Sequence, residues 1–442
     1  MTRPHSVLIL GAGLAGLTCA SELAAAGVEV TVLEKLPTVG GLARNVERGA
    51  AKFDLGGHRF FSAKPELVDW LRTLVGDELR QVGRKSRIRL GGRYFDYPLR
   101  AGNALAGFGA AGSFAIVKDY AVAALSRALS NDEDVSFEGW VSSRFGRRLY
   151  EIYFRPYTEK VWGISCSQIS ADWAAQRIQL LSLADAVWQA VRPGGDKPKT
   201  YASQFWYPAG GIGVIGEILA GKIRDAGGKV HTGAAVEQIT VRDGRIAEVV
   251  AAGETYAADA VISTIPLTRL GALINAPTAA LNELSYRAIR CVFLVLNAGQ
   301  ITDDTWLYFP EPDVVFSRTH EPPNWAPELA PPQGTSLCLE VFCNEGDRLW
   351  SLDADDLADR CVTDLARLGL IKTSQVTEAS DERVPSAYPV YRVGYKAPLR
   401  AVRERVAEVA DLYLLGRTGA YRYDNMDQVV DAALALARRL TT

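Results

Sequence analysis

Apolar and polar positions follow different rhythms along this chain, and the first is a strand–helix–strand unit. Val7, Leu8, Ile9 and Leu10 form an unbroken apolar run, too short for a helix and suited to a strand buried on both faces. Gly11, Ala12, Gly13, Leu14, Ala15 and Gly16 turn out of it into an apolar helix, and residues 28–33 read as a second strand. Residues 88–97 read as a hairpin turning at Gly91-Gly92, and the pattern is helical from 99 to about 188. The stretch 191–198 is the most loop-like. Gly210-Gly211-Ile212-Gly213 opens another helix, 229–250 alternates like a hairpin around Asp243-Gly244, and 258–265 resembles a buried parallel strand. Residues 291–297, 305–309, 314–318 and 337–342 look like strands of an antiparallel sheet. Strand and helix return at 412–415 and 428–440.

The first unit carries chemistry. The second strand ends at Glu34, 23 residues after Gly11. In Gly11-x-Gly13-x-x-Gly16, the first glycine permits a tight turn, the second lets backbone approach a pyrophosphate, and the third lets helix and strand pack closely. The helix N-terminus offers free N–H groups to phosphates, and Glu34 suits two ribose hydroxyls. Strand, loop, helix, strand and acid together are a far stronger signal than the glycines alone. Gly40-Gly41-Leu42-Ala43-Arg44 and Asp54-Leu55-Gly56-Gly57-His58 follow. Backbone without Cβ can lie against a flat ring, so a cofactor running past the pyrophosphate fits, and FAD is expected over NAD. Arg44 can add a charge-assisted bond to phosphate. The competing reading is that these glycines serve ordinary turns.

The expected fold class is α/β. A Rossmann-type FAD-binding domain is assembled from 1–62, 200–270 and 401–442, with a mainly helical subdomain at 63–190 and an antiparallel sheet domain at 271–400. A chain of 442 residues can bury substantial cores. Its formal net charge of −2 gives no pull toward nucleic acid or membrane. No secretory signal or membrane span is read at the N-terminus, and a cytoplasmic enzyme is expected. Six scattered cysteines and four histidines, none beside a cysteine, argue for buried thiols and no metal site.

The motifs match a family. The chain resembles the UDP-galactopyranose mutases, within the amine-oxidase and protoporphyrinogen-oxidase-like FAD superfamily. The N-terminal fingerprint with Gly56-Gly57-His58 is shared by many flavoproteins, but other stretches are more specific. These are Phe154-Arg155-Pro156-Tyr157 with Lys160-Val161-Trp162, Trp306-Leu307-Tyr308-Phe309-Pro310, and Gly416-Arg417 through Tyr421-Arg422-Tyr423 to Asn425-Met426-Asp427. Tyr97-Pro98, Arg177, Tyr207-Pro208, Phe316, Arg318, Leu339-Glu340-Val341 and Tyr388-Pro389 match as well. The resemblance implies a nucleotide-sugar mutase that interconverts pyranose and furanose with no net redox change. N5 of reduced FAD attacks the anomeric carbon and NAD(P)H is a candidate external reductant; the physiological reductant and the pathway, cell-envelope polysaccharide biosynthesis or a secondary metabolite, stay open. By position, Arg177 and Arg318 match diphosphate-binding arginines, and guanidinium suits that role by staying charged and bonding bidentately. Tyr308, Tyr388 and Tyr423 match tyrosines on the same diphosphate, and Trp162 an active-site tryptophan. Tyr97, Arg100, Thr158, Trp306 and Asn425 are implied on the substrate side. Lys35, Leu42, Gly57, His58, Val236, Arg417, Asn425 and Met426 are implied at FAD, with His58 also among the catalytic residues.

Each assignment has a plain competitor. An isolated arginine such as Arg177 on an amphipathic run is more often solvated, and buried aromatics are usually core. The shared register of many segments, not any one residue, weighs against that. Three departures fall at recognition positions: Leu99-Arg100 where the family has Phe-Gln, Thr158 where some members have Asn, and Asn425 where bacterial members have Asp. They leave sugar and base open. An FAD-dependent oxidase or dehydrogenase of the same superfamily remains the alternative, and a flavin-binding protein without catalysis a weaker one.

Overall fold

The short apolar run at the N-terminus becomes the centre of a parallel sheet. In this computed structural model residues 3–49, 51–97, 101–129, 134–177 and 203–442 are described, with backbone only for 101–111, 113 and 177. The five strands lie in the order Leu412–Leu414, Ala260–Ser263, Ser6–Leu10, Glu29–Leu33 and Lys229–His231, and every pairing is parallel. Alternate residues of the first strand go to opposite cores. Val7 and Ile9 pack with Leu17, Ile215 and Val430 of the helices Leu14–Ala25, Val214–Asp225 and Met426–Thr441. Leu8 and Leu10 pack on the other side with Leu267, Leu270 and Val402. Burial on both faces explains why the run has no polar alternation.

The second layer is a seven-stranded sheet. Its order is Val376–Pro389, Tyr286–Leu296, Thr335–Cys343, Arg318–His320, Trp306–Tyr308, Ser86–Leu90 and Arg93–Asp96. The expected hairpin forms but joins this sheet, because Trp306–Tyr308 pairs with Ser86–Leu90 in parallel. All nine residues of Thr335–Cys343 are buried. The helical layer comprises Ala101–Leu129, Phe137–Phe145, Arg155–Trp162 and Ala171–Arg177, with a π turn at Tyr150–Phe154 leading into Arg155–Trp162. Among the described residues no helix is long and apolar enough to cross a membrane. All six cysteines are buried and free.

Three expectations need correction. Lys229–His231 is not a hairpin arm but the outer strand of the parallel sheet, while Val236–Arg242 and Arg245–Ala251 form the hairpin. The strand expected at 314–318 begins only at Arg318. Val314 and Phe316 are buried from a loop instead, because the Lys160 ammonium donates to the carbonyls of Phe309, Glu311 and Phe316 at 2.9, 2.9 and 2.7 Å. Val376–Pro389 was not expected as a strand at all. It is a sheet edge, and its charged, half-exposed sequence has no clean alternation to read. The loop-like stretch 191–198 lies outside the described residues.

Candidate active site

The C-terminal ends of the parallel strands open onto a cleft of about 560 Å³. Gly11, Gly13, Glu34, Lys35, Gly41, Leu42, Arg44, His58, Val236, Arg417 and Met426 all line it. Glu34, 6% exposed, accepts from the Ala12 N–H at 2.8 Å and the Leu36 N–H at 3.0 Å, so its carboxylate is fixed at the glycine turn. Gly41 has φ +58°, and a Cβ there would lie 2.9 Å from the Gly13 Cα. Two backbones therefore meet without side chains beside the Leu14–Ala25 helix N-terminus, a cradle that fits a pyrophosphate. Arg44 lines the cleft while its guanidinium bonds Glu382 at 2.7 Å and the Gly41 carbonyl at 2.9 Å. Gly16 lies in the first helix, and Asn425 caps the Met426–Thr441 helix in a capping box with Gln428. That helix N-terminus reaches the cleft through Met426 and carries a partial positive charge.

Beside the cleft, the seven-stranded sheet and the helical layer bring together a cluster of cations and aromatic rings, the candidate substrate chamber. Arg318 leads it. Its guanidinium pairs with the fully buried Glu340 at 2.5 Å, donates to the Tyr388 hydroxyl at 2.9 Å, and lies 5.5 Å over the Phe342 ring. Tyr388 stacks on Tyr423 at 5.2 Å. Trp162, 3% exposed, packs its ring 6.3 Å from Tyr388 and 6.0 Å from Tyr423. Tyr308 lies between Tyr97 at 4.7 Å and Tyr157 at 5.7 Å. Arg417 joins cleft and chamber, since it lines the cleft and its guanidinium sits 5.0 Å from the Tyr388 ring and 5.3 Å from Tyr423. Burial pushes the Tyr308 hydroxyl up to about 12 and holds Tyr157 and Tyr388 above the usual phenol range. All three are protonated donors at neutral pH. His58 goes the other way. Burial, then Arg417 and Arg318, lower its pKa to about 3, so it is a neutral imidazole between cleft and chamber.

The sequence-predicted residues divide accordingly. Arg318, Trp162, Tyr308, Tyr388, Tyr423 and Tyr97 come together, and Tyr97 is 39% exposed at the rim. Trp306 faces inward instead. A Cβ on Gly57 would sit 2.1 Å from its indole nitrogen, and the ring packs on Phe205 and Trp325. Thr158 is buried within the Arg155–Trp162 helix. Arg177 ends the Ala171–Arg177 helix, with its side chain outside the described atoms, and Arg100 lies outside the described residues. Sequence reasoning left Glu340 and Tyr157 without a role, although both stood in matched motifs. It also missed Thr264, whose hydroxyl donates to the Leu10 carbonyl at 2.9 Å in the cleft. Its signal was legible: Thr264 directly follows the buried strand beside Ser6–Leu10, where open α/β sheets bind ligands.

Fold and cleft define a dinucleotide-binding flavoprotein. The profile described as "Flavin containing amine oxidoreductase" matches residues 14–440, and the chain belongs to that family. It is an FAD-dependent enzyme fold, with a Rossmann-type parallel core and an antiparallel sheet domain. The structure is similar to that of a reduced UDP-galactopyranose mutase, with a TM-score of 0.86, 21% identity, and coverage of 100% of this chain and 94% of that one. A putative protoporphyrinogen oxidase from Exiguobacterium sp. 255-15 gives 0.77 at 19% identity, covering 100% and 99%. Sequence similarity points elsewhere. A hydroxyneurosporene desaturase of Rubrivivax gelatinosus is 48% identical over 54 residues, 12% of this chain and 10% of that protein. A phytoene dehydrogenase of Streptomyces griseus is 39% identical over 88 residues, 20% of this chain and 17% of that one. The chain thus matches only a small part of the length of these two relatives.

Proposed function

We propose that this protein is a flavin-dependent nucleotide-sugar mutase, interconverting pyranose and furanose forms of a sugar held through its nucleoside diphosphate. The observation that carries the reading is Arg318: a guanidinium sunk among tyrosine hydroxyls, one wall away from the cofactor cleft. A chamber for an apolar substrate would be lined by hydrophobic side chains instead. Reduced FAD supplies a nucleophilic N5 for the anomeric carbon when bound. The chain's own groups do the rest. Arg318 stabilises charge developing on the departing diphosphate, and Arg177 is assigned the same role by its position in the sequence. Tyr308, Tyr388 and Tyr423 donate hydroxyl bonds to the same oxygens, and burial keeps the protons of Tyr308 and Tyr388 in place. Trp162 excludes water from the sugar. Neutral His58 offers a hydrogen bond at the flavin without adding charge. Glu34 would hold the ribose, the Gly13–Gly41 cradle the pyrophosphate, and Asn425 with Met426 would offer the positive end of their helix to the bound cofactor.

In this reading 1–62, 200–270 and 401–442 hold the cofactor, and 63–190 and 271–400 the substrate. Tyr97, Arg100 and Thr158 are assigned to nucleoside and sugar recognition, whereas the inward-packed Trp306 is left out of that set. The setting is the cytoplasm, with NAD(P)H as reductant and an envelope polysaccharide as destination. The matches to carotenoid desaturases support a second reading, an FAD-dependent oxidoreductase. One experiment separates the two. Anaerobic, dithionite-reduced protein is incubated with UDP-, dTDP- and GDP-linked sugars and the products are resolved by chromatography. Isomeric sugar nucleotides formed without consumption of reductant support the mutase. Absence of any isomer, with peroxide or a desaturated product formed from a polyene under air, supports the oxidoreductase.

A further inference from the structure

Glu340 connects the two halves of the site. One carboxylate oxygen takes the Arg318 guanidinium at 2.5 Å, and the other accepts from the Gly57 N–H at 3.1 Å. The side chain is fully buried, on a strand whose every residue is buried, so it has no solvent route by which to relax. The loop it grips is tightly held. Gly56 has φ +75°, and a Cβ there would lie 3.0 Å from the Glu340 carboxyl carbon. Gly57 packs against the Trp306 indole nitrogen too closely for any side chain. The next residue is His58, which lines the cofactor cleft and whose Nδ1 is buried with no hydrogen-bond partner among the described residues. Arg318, Glu340, Gly57 and His58 thus form an unbroken line from the anion-binding chamber to the cofactor.

From this line we infer that Glu340 is a positioning residue coupling anion occupancy at Arg318 to the loop that lines the cofactor cleft through His58. The inference rests on the reading of Arg318 as the diphosphate ligand. An anion on Arg318 competes with Glu340 for the same guanidinium. As that pair loosens, Glu340 carries more uncompensated charge and draws harder on the Gly57 N–H, which moves His58 against the cofactor. Linkage makes the effect reciprocal: if the loop differs between oxidised and reduced flavin, anion affinity differs by the same factor. Arg318, buried and held by Tyr388, keeps its charge throughout.

The test uses the FAD-loaded protein with UDP and with inorganic pyrophosphate as probes. Affinity is measured for the oxidised and the dithionite-reduced forms, and the flavin midpoint potential is read with and without ligand. The expected result in the native protein is at least a tenfold difference in UDP affinity between redox states, equivalent to about 30 mV for a two-electron couple. In Glu340→Gln, which keeps an acceptor for Gly57 but loses the ion pair, the difference falls below twofold while UDP still binds and FAD content is unchanged. The second readout is the His58 imidazole, resolvable by NMR because the chain has four histidines. UDP shifts its signal in the native protein and not in Glu340→Gln. If that variant does not fold, a His58 signal unmoved by UDP in the native protein overturns the proposal by itself. Retention of the affinity difference in Glu340→Gln also overturns it, as does its absence from the native protein. Failure of the mutase reading shows separately, as no isomeric product from any nucleotide sugar.

Discussion

At the scale of single residues, the site is a contest between burial and charge, and Arg318 is where it is decided. Burial opposes its charge, and Glu340 first, then Tyr388 and Tyr157, stabilise the cation and raise its pKa well above the usual value. Removing the guanidinium therefore has two separable effects. Arg318→Ala should weaken transition-state stabilisation by about 2–4 kcal/mol, as for loss of one preorganised donor. It should also destabilise the fold by about 3–5 kcal/mol, because Glu340 is left buried and unpaired. Adding Glu340→Gln to Arg318→Ala removes the stranded carboxylate, so stability should recover while turnover does not. Urea melts and initial rates with a UDP-sugar check the two halves independently. If both recover together, Arg318 acts only through the fold.

At the scale of elements, the glycine-rich crossing and the Lys160 clamp set the positions of everything else. At Gly41 a methyl group meets the Gly13 Cα at 2.9 Å with φ at +58°, so neither backbone can yield without opening the cradle. Gly41→Ala should lower FAD affinity at least tenfold, by about 1.4 kcal/mol or more. Fluorescence titration of the apoprotein checks this, and unchanged FAD affinity would contradict it. Lys160 holds three carbonyls of the loop between the strand bearing Tyr308 and the strand bearing Arg318. Burial lowers its pKa to about 8, so the ammonium is charged at neutral pH. Lys160→Met leaves those carbonyls without their donor and should cost several kcal/mol of stability. It should also raise KM for the nucleotide sugar, because Tyr308 and Arg318 lose their spacing; unaltered steady-state kinetics would count against this. These elements also show what was legible from sequence. Ser6–Leu10, Leu14–Ala25 and Met426–Thr441 were readable because periodicity and glycine position are local properties. The pairing of the Ser86–Leu90 hairpin with Trp306–Tyr308 was not, since parallel partners more than two hundred residues apart leave no local trace. Glu340 escaped for a related reason: an acid inside an apolar strand is explained only by the arginine and glycine that meet it across the sheet.

At the scale of the whole molecule, three buried titratable groups, His58, His320 and Asp54, oppose one another. His58 and His320 are both pushed down to about 3 from 6.5, mainly by burial, with Arg318 adding to each. Asp54 is pushed up from 3.8 to about 7, mainly by burial, although the Tyr207 hydroxyl, the Ile212 N–H and Asn45 all favour its charged form. Protein stability rises with pH wherever the unfolded chain binds more protons. Between about pH 4 and 6.5 the unfolded chain holds two extra protons on the histidines and lacks one on Asp54. The net difference is one proton, so these groups make stability rise by about 1.4 kcal/mol per pH unit across that window. Above the histidine range only Asp54 remains, and stability falls slightly as its folded-state carboxyl ionises near 7. Asp54→Asn removes the opposing group while an amide can still meet Tyr207, Asn45 and the Ile212 N–H. The variant should therefore show about twice the native slope between pH 4.5 and 6, with no decline between pH 6.5 and 8. Its advantage over the native protein should grow with pH to a few kcal/mol by pH 8, on the order expected for a shift of this size. Urea melts of the FAD-saturated proteins at fixed ionic strength supply the numbers, with the cofactor held constant because it stabilises the folded state by mass action. Parallel pH profiles for the two proteins would mean that Asp54 is ionised in both folded and unfolded chains, and that its hydrogen bonds, not its burial, set its charge.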